Sequence, residues 1–285
     1  MDLSIAEIES AWKRFNQPYI SPSRLTSSVS SWLFKYGFLS SEERQDLLVG
    51  YNAHFGTATH TGIQNIISNG ADIADEIKQQ QINLAFQNVP EPDDVTLAKY
   101  KDDLPNAINN GVQILAEAGF IGGLPEEKIS TRIPDIHIDV IGYVDLVVPD
   151  TMFCEIKTKA ARKTKVLKSG EQGWAKATLP KKPDHAHLIQ TSIYYHALKT
   201  TPSICYISTD DAVLYTPFNC DELKHDAMMH YLDEARQRAL LRQNLVCLSS
   251  DVKFLASITD PDWGHNYQWK LQPEYLKRAK QLWEM

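Results

Sequence analysis

The clearest chemistry in the sequence sits in two short segments. Asp145 closes the run Gly142-Tyr143-Val144-Asp145, and Glu155 and Lys157 stand two apart a little further on. Residues i and i+2 of a strand share one face. A hairpin between the two segments therefore brings Asp145, Glu155 and Lys157 together. Paired carboxylates are hard oxygen donors that suit Mg²⁺ or Mn²⁺. A cation held there polarises a phosphate ester and lowers the pKa of a bound water. A lysine beside it orients that water or offsets the charge that develops. The chemistry is phosphodiester hydrolysis. The same alternation of acid and lysine also describes a solvated strand face with weak cross-strand ion pairs.

The elements that must position these residues follow from the patterning. His137 to Val148 reads as a strand, with Ile138, Val140, Val144, Leu146 and Val148 on one parity and Asp139, Tyr143 and Asp145 on the other. Pro149-Asp150-Thr151 turns the chain, and Met152 to Lys157 returns antiparallel. Lys128 to Ile133 supplies a strand before them, and Ser203 to Ser208 and Ala212 to Phe218 two more after them. Asp139 lies too far along its strand to share a cation with Asp145, and Glu117 and Glu127 read as solvated.

Helices bracket this sheet. Ser21-Pro22 opens one, with Ser21 as N-cap and Pro22 in the first turn, and Trp32, Leu33 and Phe34 add apolar bulk. A helix over Thr57 to Ser68 stops at Asn69-Gly70, and helix continues over Ala71 to Gln87 until Pro90-Glu91-Pro92 breaks it. Asp94 to Ala118, Asp184 to Lys199, Asp221 to Asn244 and Pro273 to Trp283 complete the set. Lys159 to Lys182 is basic and aperiodic and reads as a loop or lid. The order of elements predicts an α/β fold, a small mixed sheet flanked by helices with a helical N-terminal elaboration. It predicts one domain over 1–285, mainly helical over 1–120, the catalytic core over 121–220 and C-terminal helices over 221–285.

Taken together and in order, these motifs resemble the PD-(D/E)XK nuclease superfamily, and within it the RecB/Cas4-like exonuclease branch. The resemblance spans Ser21 to Phe218. It is carried by Asp145, by Glu155-x-Lys157, by His60 in Gly56-Thr57-Ala58-Thr59-His60, by Gln190-x-x-x-Tyr194, and by Ser21-x-Ser23-x-Leu25. It implies a restriction-endonuclease-like core and a DNA exonuclease dependent on one or two Mg²⁺ or Mn²⁺ ions. It further implies that His60, Asp145, Glu155 and the carbonyl of Ile156 hold the metal, that Lys157 positions water, and that Gln190 and Tyr194 set the DNA backbone. The proline of the family motif is missing before Asp145. Relatives with an iron–sulfur cluster place one cysteine N-terminally and three C-terminally. Here the cysteines are Cys154, Cys205, Cys220 and Cys247, with none before Cys154, so no cluster is expected.

Each candidate has a plainer reading. His60 shares a helical face with Ile63, Gln64 and Ile67, where a histidine is often a core residue. Gln190 and Tyr194, four apart, share a helix face, and His187 precedes them by one turn and could join them. From Lys157 to Lys182 nine lysines and arginines face one acid, Glu171. A clamp on the DNA backbone is the functional reading, with Lys159, Arg162, Lys163 and Lys165 as candidates. Trp174 within that run either stacks on a base or anchors the loop. Arg24, with Ser21 or Ser23, is a candidate grip on a phosphate. Trp263, Tyr267, Trp269 and Trp283 read as packing for the last helix.

Composition narrows the classes. Of 285 residues, 43% are hydrophobic and 23% charged, which excludes a disordered or low-complexity chain. No apolar run approaches the ~18–20 residues that span a bilayer, and a cytoplasmic protein with no membrane partner is expected. The net charge of −7 means that DNA must be met by a local basic patch. By analogy with the family it resembles, a chain of this length with no helicase motif is expected in phage or mobile-element DNA recombination, repair or degradation, beside a single-strand annealing or binding protein. Two rivals remain: an endonuclease on the same core, and a non-catalytic DNA-binding subunit.

Overall fold

The computed structural model describes residues 3–45, 47, 50–69, 74–85, 94–263 and 273–284. The β-branched runs of the middle third form the sheet. Strands β1 (Leu124–Thr131), β2 (Val140–Val148) and β3 (Met152–Thr158) make the expected antiparallel meander, and β6 (Thr201–Ile207) and β7 (Ala212–Tyr215) extend it. The order is β1-β2-β3-β6-β7, with β3 and β6 parallel and the other pairs antiparallel.

Regular alternation fails at one place in β2. Val144 and Val147 face one apolar cluster with Phe153 and Tyr194. Leu146 faces the opposite cluster with Cys154 and Ile156. Val144 and Leu146 thus do not share a face as strict period 2 predicted. The break coincides with Asp145, and with a gap in the β1–β2 ladder between Pro125↔Leu146 and Glu127↔Val144. Glu126, which falls in that gap, has φ +51°. The β2–β3 ladder also ends at Leu146↔Cys154, so the two strands part company beside Asp145 and Glu155.

Helical layers cover both faces. On one side lie α5 (Tyr51–Asn69), α6 (Ala74–Leu84) and α7 (Asp94–Glu117). Ile63, Ile66, Ile67, Leu104, Ile108 and Leu115 meet Leu146, Cys154, Ile156, Cys205 and Ile207 there. On the other side α8 (His185–Leu198) lies against β1 and β6 and is backed by α9 (His225–Leu248). Ile189 and Ile193 of α8 join a second cluster with Leu232, Ala235 and Ala239 of α9 and with Trp12 and Trp32. The last two come from α1 (Ile5–Arg14) and α3 (Val29–Leu33). The architecture is mixed α/β, a five-stranded mixed sheet between helices with a helical N-terminal part. No helix among the described residues is long and apolar enough to cross a membrane.

The N-terminal segment is strapped to this frame. Ile20 bridges Val140, which carries Ser21–Leu25 alongside the start of β2. The helix there, α2 (Pro22–Leu25), is one short turn, and the Ser21 side chain does not cap it. The Ser21 hydroxyl meets that of Ser23 at 3.1 Å instead. Trp32 and Leu33 belong to α3 and Phe34 to a π-helical turn, so the single helix expected from Ser21 is three pieces. Buried Arg242 of α9 holds them by donating to the carbonyls of Arg24 at 3.3 Å and Ser27 at 2.7 Å.

Other boundaries move. The helix expected from Thr57 begins at Tyr51, and the one expected from Asp221 begins at His225 after a 3-10 turn. β1 starts at Leu124, and residues 137–139 precede β2. α4 (Ser41–Gln45) and α10 (Val252–Ser257) were not anticipated, and α11 (Pro273–Trp283) matches its expected span. Lys159 to Lys182 is no plain loop: β4 (Arg162–Val166) and β5 (Gln172–Ala175) pair in it as a separate antiparallel hairpin. Trp263 and Trp283 stack edge to face at 5.9 Å, packing that end as expected. Gly70, Pro90, Glu91, Pro92, Tyr267 and Trp269 lie outside the described residues.

Candidate active site

Where β2 leaves its ladder, side chains take over the backbone's hydrogen bonds. The Asp145 carbonyl accepts from Gln64 Nε2 of α5 at 2.9 Å. The Asp145 Oδ2 accepts from the Ile156 amide of β3 at 2.6 Å, and its Oδ1 lies 3.7 Å from His60 Nδ1. Asp145 is thus fixed from the strand beside it and from the helix above it. Burial pushes its carboxyl up, but the His60 and Lys157 charges and the His60 and Ile156 hydrogen bonds outweigh that and hold it below the usual carboxylate range.

Glu155 and Lys157 share the opposite face of β3 from Cys154 and Ile156, as the i, i+2 spacing required. Glu155 is 3% exposed. Its Oε1 accepts from Lys157 Nζ at 2.5 Å and from Gln190 Nε2 at 2.7 Å. Gln190 Oε1 accepts from the same ammonium at 3.3 Å. Gln190 Nε2 also donates to the Tyr194 hydroxyl at 3.0 Å, which donates in turn to the Tyr143 carbonyl of β2 at 3.0 Å. One turn of α8 therefore ties the Glu155–Lys157 pair to β2. Gly142 permits this closeness: a Cβ there would stand 2.9 Å from Tyr194 Cε1 and from Pro22 Cγ. The same contact brings the Ser21–Leu25 segment against the Gln190–Tyr194 helix.

The electrostatics are those of two carboxylates sharing one cation. Burial, then the negative charge of Asp145, pushes Glu155 up to about 7 although Lys157 pulls it down. Burial works against the Lys157 charge, but Glu155 and Asp145 outweigh it and the ammonium is held above its ordinary value. Burial, followed by the Glu155 charge, raises the Tyr194 phenol well above its usual range, so it stays a hydrogen-bond donor.

A divalent cation fits the donors. Glu155 Oε2 is buried without a hydrogen-bond partner, and a buried acceptor of that kind is costly unless something meets it. Burial first and the Asp145 charge second raise Glu155, and a cation between the two carboxylates would offset both. The donors are nonetheless not gathered as a finished cage. Among the described residues no three His, Cys, Asp or Glu side chains form a metal-ready group, and Glu155 Oε1 is turned to Lys157 and Gln190.

The remaining sequence candidates separate. Gln190 and Tyr194 are in the network. His187 is not: its Nδ1 meets the Tyr206 hydroxyl at 2.7 Å, and burial and the Lys157 charge push it down to about 4. Arg24 packs its guanidinium over Tyr36 at 5.1 Å and Tyr19 at 5.6 Å. Lys159 pairs with Asp184 at 3.1 Å, and Lys176 with Asp210 at 3.0 Å. Arg162, Lys163 and Lys165 stand exposed on β4. Trp174 takes the anchoring role, half-buried with its ring 6.3 Å from that of Tyr100. Asp139 pairs with Arg132 at the surface at 2.8 Å.

Two residues at the site escaped the sequence reading. Gln64 appeared there only as a face neighbour of His60, yet its Nε2 donates to both Asp145 O and Glu126 Oε1, the latter at 2.8 Å. Its place one turn after His60 was the available signal. Glu126 gave none, because only the pairing of β1 with β2 sets it beside Asp145.

No family model matches the sequence, and no curated protein matches it either. Two solved structures are similar in shape. One is a Eubacterium rectale protein provisionally named an exonuclease, at 12% identity over 88% of each chain, with a TM-score of 0.49. The other is SSO0001, at 14% identity over 76% of this chain and 88% of that one, with a TM-score of 0.30. Likenesses of that size leave the site to be argued from its own residues.

Proposed function

We propose that this chain is a metal-dependent deoxyribonuclease that hydrolyses phosphodiester bonds from DNA ends without preference for base sequence. The observation that carries the reading is the Glu155–Lys157–Gln190 network, built on buried Glu155, beside Asp145 where β2 and β3 part. A buried carboxylate shared with a half-buried lysine, with a second carboxylate one strand away, is costly for stability alone and suits a reaction that builds negative charge.

Asp145, Glu155 and His60, with the Ile156 carbonyl, would hold Mg²⁺ or Mn²⁺, which would supply Lewis acidity toward the phosphate and an acidified water. Lys157 Nζ, kept protonated by two carboxylates, donates toward the attacking water or the phosphate oxygen and offsets charge as it develops. Gln190 fixes the lysine through Oε1 and the glutamate through Nε2. Tyr194 locks Gln190 and keeps its proton. The exposed basic face of Arg162, Lys163 and Lys165 takes the DNA backbone, and backbone contacts carry no sequence preference. The setting we propose, phage or mobile-element DNA recombination, repair or degradation, rests on the sequence resemblance.

End-labelled linear DNA, incubated with Mg²⁺ or Mn²⁺ and then with EDTA, tests the reading. Loss of label from the ends that EDTA stops and Lys157→Met abolishes supports it. Cleavage of closed circular DNA would assign an endonuclease instead, and binding without metal-dependent cleavage a non-catalytic subunit.

A further inference from the structure

The β4–β5 hairpin is built unlike the rest of the sheet. It leaves the catalytic strand four residues after Thr158 and pairs only with itself. Residues 162–171 are all exposed. Its root is firm: Trp174 lies against Tyr100, whose hydroxyl donates to the Ala161 carbonyl at 3.0 Å. Its tip is also ordered. Leu167 N donates to Glu171 O at 2.8 Å and Gly170 N to Leu167 O at 2.9 Å, and Gly170 takes φ +88°, which suits glycine.

That tip carries two adjacent apolar side chains in water, Val166 at 62% and Leu167 at 52% exposure. Lys163, Lys165 and Lys168 flank them in sequence, with Glu171 as the one acid of the hairpin. Among the described residues Arg162, Lys165 and Lys168 have no acidic partner. A firmly rooted element with an apolar point and a cationic collar matches a ligand with an apolar stacked interior and a phosphate exterior.

We propose that Val166 and Leu167 form a wedge that opens the terminal base pairs of a DNA duplex as the basic collar holds its backbones. The inference rests on the nuclease reading and adds to it how a duplex end is made single-stranded. Five strand residues at ~3.3 Å each put the tip about 16 Å from the root. That is about five nucleotide steps at ~3.4 Å, so a duplex lying along the hairpin should be opened over about five terminal pairs.

The test pairs wild type with Val166→Ser/Leu167→Ser and with the apolar control Val166→Ile/Leu167→Met. All three are checked for folding by thermal denaturation. A blunt 30-mer duplex carries 2-aminopurine five pairs from its end. Binding in EDTA should raise the fluorescence of this base with wild type and the control, and not with the serine variant. With Mn²⁺, the ratio of blunt-duplex to single-strand degradation should fall at least tenfold in the serine variant. A five-nucleotide unpaired end should restore it. An unchanged ratio, or no fluorescence rise with wild type, overturns the wedge, as does a serine variant that changes only the oligomeric state. Wild type that degrades neither substrate refutes the nuclease reading itself. Wild type that degrades single strands alone refutes only the wedge.

Discussion

In the proposed metal site, Glu155 should make cation binding pH-dependent. Asp145 is held ionised, whereas Glu155 is pushed up to about 7 by burial and by Asp145. Coordination requires the Glu155 proton to leave. With a pKa near 7 the carboxylate is about 3% ionised at pH 5.5 and about 90% at pH 8. Manganese affinity should therefore rise about 30-fold across that window, or about 2 kcal/mol, and level off above it. An ordinary glutamate would already be about 90% ionised at pH 5.5, and affinity would be nearly flat. The assay is Mn²⁺ binding by electron paramagnetic resonance or calorimetry, without DNA. The profile is repeated in a His60→Asn background. Glu155→Gln in that background should bind more weakly and show no slope. A flat profile in the parent, or the same slope in Glu155→Gln, would refute the assignment of Glu155 as a ligand whose proton must leave.

Other residues give separate tests. Lys157→Met keeps the length and removes the charge. End-labelled DNA should then be cleaved at least a hundredfold more slowly, with binding in a gel-shift assay within a few-fold, and intact turnover would remove the lysine from the mechanism. Gln64→Ala leaves the Asp145 carbonyl unsatisfied and should cost about 1–3 kcal/mol in urea denaturation; a loss within error would show that the clamp is idle. Gly142→Ala forces a methyl to within 2.9 Å of Tyr194 and Pro22 and should cost about 1–3 kcal/mol by overpacking, read as a lower melting temperature. Arg162→Gln with Lys165→Gln should reduce the slope of log K against log salt by about 2 for duplex DNA; an unaltered slope would take β4 away from the backbone.

What was legible in the sequence was what short spacing determines. The two-residue step from Glu155 to Lys157 put them on one face, and the four-residue step from Gln190 to Tyr194 put both on one turn. Those local geometries hold wherever the strand or helix is regular, as it is in β3 and α8. The break in β2 was hidden because alternation assumes an unbroken pleat, and Asp145 sits where the pleat fails. Glu126 was hidden because its position depends on strand register and on a left-handed backbone. The β4–β5 hairpin was hidden because Arg162–Val166 buries no face, so it has no apolar alternation to read. Ser21 read as a cap because of its residue type, but the chain there makes a single turn strapped by Arg242 from far along the sequence.

The most direct measurement is diffraction at the manganese absorption edge from crystals soaked in Mn²⁺. The account predicts an anomalous peak bonded at about 2.1 Å to the carboxylates of Asp145 and Glu155, with Glu155 turned from Lys157 and His60 beside the ion. Full soaking that leaves no ion there, with Glu155 still paired to Lys157 and Gln190, would contradict it.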